Sequence, residues 1–354
     1  MPASSPSSLR CLIVRFKFDA AVSIYRVDSL MTSFGWADIP SAGSVCAARL
    51  IRAGLEPSAA EEIGAPRELQ EAIPRTLGAL QILKPGRVSG MSLEEASMTA
   101  IYDVRQYNSI RATLRNIHSL TTATRSRLSS DMWGVLRRST ELYGASDETN
   151  VSPQEAFETL DELLVCLSAF HGITSSNMVR GHAWVFLEMG RRIEQGVFVF
   201  TLLKDLFGGG QSRILMDTSL RVCDSLLTYR ARYLSKLQAT PVADLILTDD
   251  SNPQSALFQI RRMLTCVRAL PTRVPFPLSR AETKLVSLEA RLVTLDLESA
   301  CRDAGAELTA FAEDAIKQLW KISDDLTQLY FIHASPPRAL APTHWIGAGL
   351  EADT

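Results

Sequence analysis

The sequence predicts an all-α protein, a multi-helix bundle, and three observations carry that expectation. Apolar residues recur with a helical period almost continuously from Pro66 onward. Start signals stand where the periodic stretches begin, as in Ser152-Pro153-Gln154-Glu155 and Asn252-Pro253. Stop signals stand where they end, as in Gly208-Gly209-Gly210 and the rigid connector from Pro271 to Pro277. The triple glycine lacks the Lys-Ser/Thr of a phosphate loop and reads as a helix terminator.

Taken in order, the first eight residues are rich in Pro and Ser and are expected to be disordered. Residues 9–65 show short apolar runs broken by Gly and Pro, with no sustained period. Helices are predicted over 66–83, 93–103, 108–127, 129–144, 152–172, 178–206, 213–237, 253–270, 278–292 and 305–333. The organisation expected is a divergent, partly disordered N-terminal region over 1–65, a helical domain over 66–333 and a loose Pro/Ala/Gly-rich tail over 334–354. An internal echo joins Tyr107-Asn108-Ser109-Ile110 to Ser251-Asn252-Pro253-Gln254-Ser255, each opening a basic, apolar-striped helix. Two related helical halves would produce it, and so would chance similarity of caps.

Composition bounds the function. The 354 residues, 46% hydrophobic and 21% charged, suffice for one large or two ordinary folded domains. A net charge of −2 gives no general attraction to nucleic acid or to an anionic membrane. No stretch reaches the roughly 18 uninterrupted apolar residues of a spanning helix. The short run from Cys11 to Val14 is cut by Arg15, Lys17 and Asp19, which argues against a signal peptide, so a cytoplasmic location is expected. None of the six cysteines lies in a C-x-x-C pair, which favours buried free thiols. The five histidines form no H-E-x-x-H, and the run Asp244, Asp249, Asp250 matches no metal loop, so no metal and no cofactor are expected.

The stretch Arg180 to Leu203 is the most informative. On a helix, Phe186, Met189, Gly190, Ile193, Val197 and Phe200 fall on one core stripe, with Gly190 permitting close approach of a neighbour. Glu188, Arg191, Arg192 and Gln195 fall opposite, and Glu188 can pair with either arginine. Trp184 shares that polar side, which suggests that the side is covered, with an arginine on its ring. Glu194 sits at the stripe's margin and needs a partner. Downstream, Tyr229, Arg230, Arg232 and Tyr233 form a second set: either a groove for a carboxylate or phosphate, or tyrosines bridging core and surface with arginines paired to Asp224 or Asp244. The candidate binding residues are Arg180, Trp184, Glu188, Arg191, Arg192, Glu194, Tyr229, Arg230, Arg232 and Tyr233.

The segment Met178 to Gln195 resembles the M-x-R-G-x-x-W-x-F-L-x-x-G-R-R-x-E-R pattern of the Alpha-E family. Leu227 to Leu234 is similar to its T-Y-R-x-R-Y-L, and Pro241 to Phe258 to its P-V-x-D-L-L-L-x-D-x-x-N-P-R-S-L-x-F. Leu128-Ser129-Ser130-Asp131-Met132-Trp133 resembles the family's L-S-x-x-x-W. The family's opening helix is not found in residues 1–65, its E-N-A-R reads Ser119-Leu120-Thr121-Thr122, and its central E-R reads Glu194-Gln195. The resemblance implies an all-helical domain encoded beside, or fused behind, an ATP-grasp-type ligase, with a transglutaminase-like protein nearby. It implies an accessory role in peptide or amide-bond modification, with no ATP-using site in this chain. Two alternatives stand beside that role. One is an enzyme using Glu194 with Arg191 and Arg232; the other is a degenerate copy that has lost activity.

Overall fold

A computed structural model describes residues 42–330, apart from 60–64, 85, 87, 89, 107, 124, 126–127, 145–150, 208–211, 234–235, 271–278 and 303–304. The chain's two ends, Cys11, Tyr107, the triple glycine and the proline connector therefore lie outside the described residues. The described residues are helical, with no strand among them. In chain order the helices are α1 (Ala42–Ala59), α2 (Arg67–Ala79), α3 (Leu93–Tyr102), α4 (Ile110–Ala123), α5 (Ser130–Gly144), α6 (Pro153–Asn177) and α7 (His182–Phe207). They continue as α8 (Arg213–Val222), α9 (Leu226–Tyr233), α10 (Ala239–Ala243) with a π turn at Asp244–Thr248, α11 (Ala256–Ala269), α12 (Arg280–Val293), α13 (Leu297–Ala300) and α14 (Ala306–Tyr330).

Local chemistry places these boundaries. At α6 the Ser152 hydroxyl accepts from the Glu155 N–H at 3.2 Å, the Glu155 carboxylate accepts from the Ser152 N–H at 2.8 Å, and Pro153 opens the helix. At α11 the cap is Ser255, not Asn252: the Ser255 hydroxyl accepts from the Phe258 N–H at 3.1 Å. Asn252 is a buried brace instead, its amide donating to the Leu245 carbonyl at 2.8 Å and to the Ser225 hydroxyl at 3.1 Å.

The single helix expected over 213–237 divides at Cys223–Ser225. Asp224 takes a left-handed φ of 51°, and the Ser225 N–H turns back to the Leu220 carbonyl at 2.7 Å. That geometry closes a helix, but glycine or asparagine is its usual signal, so an aspartate there conceals the break. The helix α1, the short α10 with its π turn, and α13 are further additions to the expected elements.

The helices repeat. Gln81 (φ 59°) and Asp224 are the two non-glycine residues with left-handed φ among those described, and they end α2 and α8 identically. The Ile82 N–H bonds the Leu77 carbonyl at 3.0 Å just as Ser225 bonds Leu220. Ser109 then caps α4 through the Ala112 N–H at 3.2 Å, as Ser255 caps α11. The Asn108 amide reaches back to the Gln81 carbonyl at 3.1 Å, as Asn252 reaches back to Leu245. Helix pairing follows suit: α1 on α6, α5 on α6 and α4 on α5 are matched by α7 on α14, α12 on α14 and α11 on α12. The two sets meet where α1 and α2 pack on α7 and α8.

Helix α7 is the central strut, packed against α1, α2, α8, α11 and α14. Its expected stripe is its core face: Phe186, Met189, Ile193, Val197 and Phe200 are all buried, Met189 and Phe200 fully, and Gly190 is buried with them. Gly196 is a point of close approach, since a Cβ there would lie 3.0 Å from Leu319 Cδ1 of α14. The first set is anchored likewise by α1, whose Leu50, Ile51 and Leu55 are fully buried. A Cβ at Gly54 would come within 2.5 Å of the Ser97 hydroxyl on α3, so a larger residue there would force that side chain to shift.

Candidate functional site

The polar flank of α7 is covered, as Trp184 suggested. Glu188 is buried and forks between two arginines of its own helix, at 2.7 Å to Arg191 and 2.6 Å to Arg192. Side-chain exposure is only 9% for Glu188, 16% for Arg191 and 12% for Arg192, so the cluster is enclosed and not a wet face. Arg192 also donates to the Gln259 carbonyl oxygen of α11 at 3.0 Å and lies over the Phe258 ring at 5.2 Å. The Gln259 amide in turn donates to the Pro253 carbonyl at 2.6 Å, which ties the seam to the turn before α11. Burial pulls the Arg191 guanidinium below its ordinary pKa, with Glu188 opposing that shift. Arg180 provides the cation on Trp184, at 4.3 Å from the ring centre.

One turn on, the position that resembles the arginine of the family pattern holds Gln195, and it is 1% exposed. Its amide donates to Gln254 at 2.7 Å, and the Cys46 thiol of α1 donates to its carbonyl oxygen at 3.3 Å. Burial pushes that thiol up to about 11, the bond to Gln195 pulling the other way. Gln254 likewise stands where the N-P-R-S pattern has arginine, so two neutral amides meet where that pattern has two charges. Glu194 is half-buried beside them.

The second candidate set is a strut. Tyr229 is 1% exposed, and its hydroxyl donates to the Lys236 carbonyl at 3.3 Å while accepting from the Gln238 N–H at 3.2 Å. Tyr233 donates to Asp244 at 2.9 Å; burial first, then that carboxylate, push its hydroxyl up to about 12. Arg232 pairs with Asp249 and donates to the Ser251 hydroxyl at 3.0 Å. The arginine's partner is thus Asp249, not Asp224 or Asp244, because the π turn carries Asp249 back under α9. The acidic run is spent on structure in the same way, Asp250 pairing with Arg261. Arg230 and Arg232 are the exposed members of the set.

A groove of about 620 Å³, absent from the expected sites, lies between α1, α6 and the turn from α8 to α9. Three ion pairs border it: Arg49 with Asp224 at 2.9 Å, Arg52 with Asp161 at 2.7 Å, and Arg221 with Glu56 at 3.6 Å. Two aliphatic side chains on its wall, Val165 and Leu227, are 70% and 79% exposed. Its residues come from three distant segments, and none carries a motif that would have marked it.

An all-helical bundle of two similar helix sets around an ion-paired central helix is the class these features define. The chain belongs to the Alpha-E family, described as a predicted alpha-helical domain with a conserved ER motif, whose model matches residues 45–331. That match takes in α1, ahead of the boundary expected at residue 66. The chain is similar to an uncharacterized protein of Mycobacterium bovis and to uncharacterized proteins of two Mycobacterium tuberculosis strains. Each is 27% identical over 157 residues, which is 42% of this chain and 18% of the relative. The matched stretch therefore spans less than a fifth of those relatives' length. No solved structure matches. Among the described residues no helix is long and apolar enough to cross a membrane, and Cys46, Cys166, Cys223, Cys266 and Cys301 are buried and in no disulfide.

Proposed function

We propose that this chain is a helical accessory module of an ATP-grasp-type peptide or amide ligase system, and that it works by docking. The Alpha-E resemblance supplies the partner: an ATP-grasp-type ligase, or a transglutaminase-like protein, encoded nearby. The observation that carries the docking role is the groove, because exposed Val165 and Leu227 stand together on its wall among ion pairs. Apolar contacts framed by charges are the usual anatomy of a protein interface. Leu227 begins the outer face of α9, on which Arg230 is also exposed, so groove and helix form one surface. The seam along α7 then holds that surface's scaffold in place.

The test is co-purification of the tagged chain with the ATP-grasp-type ligase encoded beside it. Leu227→Asp places a charge on a side chain that packs little, so stability should change by no more than about 0.5 kcal/mol. The expected result is that the wild type retains the ligase while Leu227→Asp loses it at least tenfold at unchanged helical circular dichroism. Retention by the variant, or no ligase with the wild type, overturns the proposal.

A further inference from the structure

The α7–α11 seam carries more positive charge than its own carboxylate answers. Arg192 and Arg262 lie over one ring, that of Phe258, and Glu188 holds Arg191 beside Arg192. Glu188 is already divided between Arg191 and Arg192. Among the described residues, neither Arg180 nor Arg262 has a carboxylate within ion-pair distance. Arg180 is held on Trp184, and Arg262 lies over the Phe258 ring at 5.3 Å, on the ring that Arg192 also meets. Among the described residues, the buried Arg191 Nε–H has no acceptor. Two of these four guanidiniums, Arg191 and Arg192, are largely enclosed with one carboxylate between them, where an unanswered charge and an unmade hydrogen bond both cost stability.

We infer that this seam binds a small oxyanion, a carboxylate or a phosphate, between Arg191 and Arg262. Several features favour an anion over mere crowding of like charges. The guanidinium is planar, and its N–H fork matches both oxyanions. Phe258 and Trp184 fix two of the arginines before a ligand arrives, so less side-chain freedom is lost on binding. Arg180 and Arg262 are exposed, whereas Arg191 and Arg192 lie deeper, so an arriving anion meets the exposed arginines first. The site is independent of the groove, and an anion held here would tighten α11 on α7.

Isothermal titration of the purified chain with inorganic phosphate and with glutarate, each against sodium chloride at equal ionic strength, tests this. The expected result is saturable binding of at least one anion, weakened about tenfold or more in Arg262→Gln, as removal of a charged hydrogen bond implies. Arg280→Gln, at an exposed arginine on α12, should bind as the wild type does. Binding of phosphate alone would identify a phosphate site, and binding of glutarate a carboxylate site. Thermal melts confirm that both variants fold. The inference is overturned if neither anion binds above the chloride control, if Arg262→Gln binds as the wild type does, or if Arg280→Gln weakens binding equally.

Discussion

Replacing Glu188 by alanine is expected to cost about 3–5 kcal/mol of folding stability, the loss typical of removing one partner from a buried ion pair. The reason is specific to the fork. Arg191 and Arg192 are both more than four-fifths covered, and both lean on this one carboxylate. Without it, two enclosed like charges face each other. Urea denaturation measures the effect as a fall in the midpoint at nearly constant slope. A loss below about 1 kcal/mol would place the cluster with ordinary exposed pairs. Replacing Arg192 by methionine in the Glu188→Ala background should recover part of the loss, because it removes one stranded charge and keeps the volume that fills the seam against Phe258.

On the opposite flank of the same helix, Phe200→Ala is expected to cost a similar 3–5 kcal/mol, here by opening a cavity. Phe200 has no exposure, and its ring meets that of Phe311 on α14 at 6.0 Å between centres. Leu319, also fully buried, lies close to Gly196 one turn earlier, so the α7–α14 contact is tightly filled and has little room to collapse. The same denaturation series checks the value. A loss near 1 kcal/mol would mean that α14 relaxes into the space, and that the crossing is looser than its contacts indicate.

Much of the central helix was legible in the chain. The stripe Phe186, Met189, Ile193, Val197 and Phe200 is readable because a buried face imposes the helical period on every position it touches. The fork at Glu188 is readable because three- and four-residue spacings are neighbours on any helix. The start of α6 is readable because its cap is built from residues adjacent in sequence.

What was not legible depends on distant partners. Helix α1 holds Gly43, Gly54 and Pro57, which read as breaks, beside its charges Arg49, Arg52 and Glu56. Those charges are matched by Asp224, Asp161 and Arg221 from elsewhere in the chain. Gln195 reads as a polar surface residue until Gln254 and Cys46 are brought to it. The break at Asp224 is hidden because its left-handed backbone is held by tertiary contacts, including the Arg49 pair, and not by a glycine. The groove is the extreme case, since it exists only where α1, α6 and α9 converge.

Helix α7 is a strut enclosed on both flanks, greasy toward α14 and ionic toward α11. Native-state hydrogen exchange along α7 tests this most directly. Amides from Met189 to Leu203 are expected to exchange only through global unfolding, with the full denaturant dependence of the whole chain. Exchange of that segment through local opening, several kcal/mol below the global value and insensitive to denaturant, would contradict that enclosure.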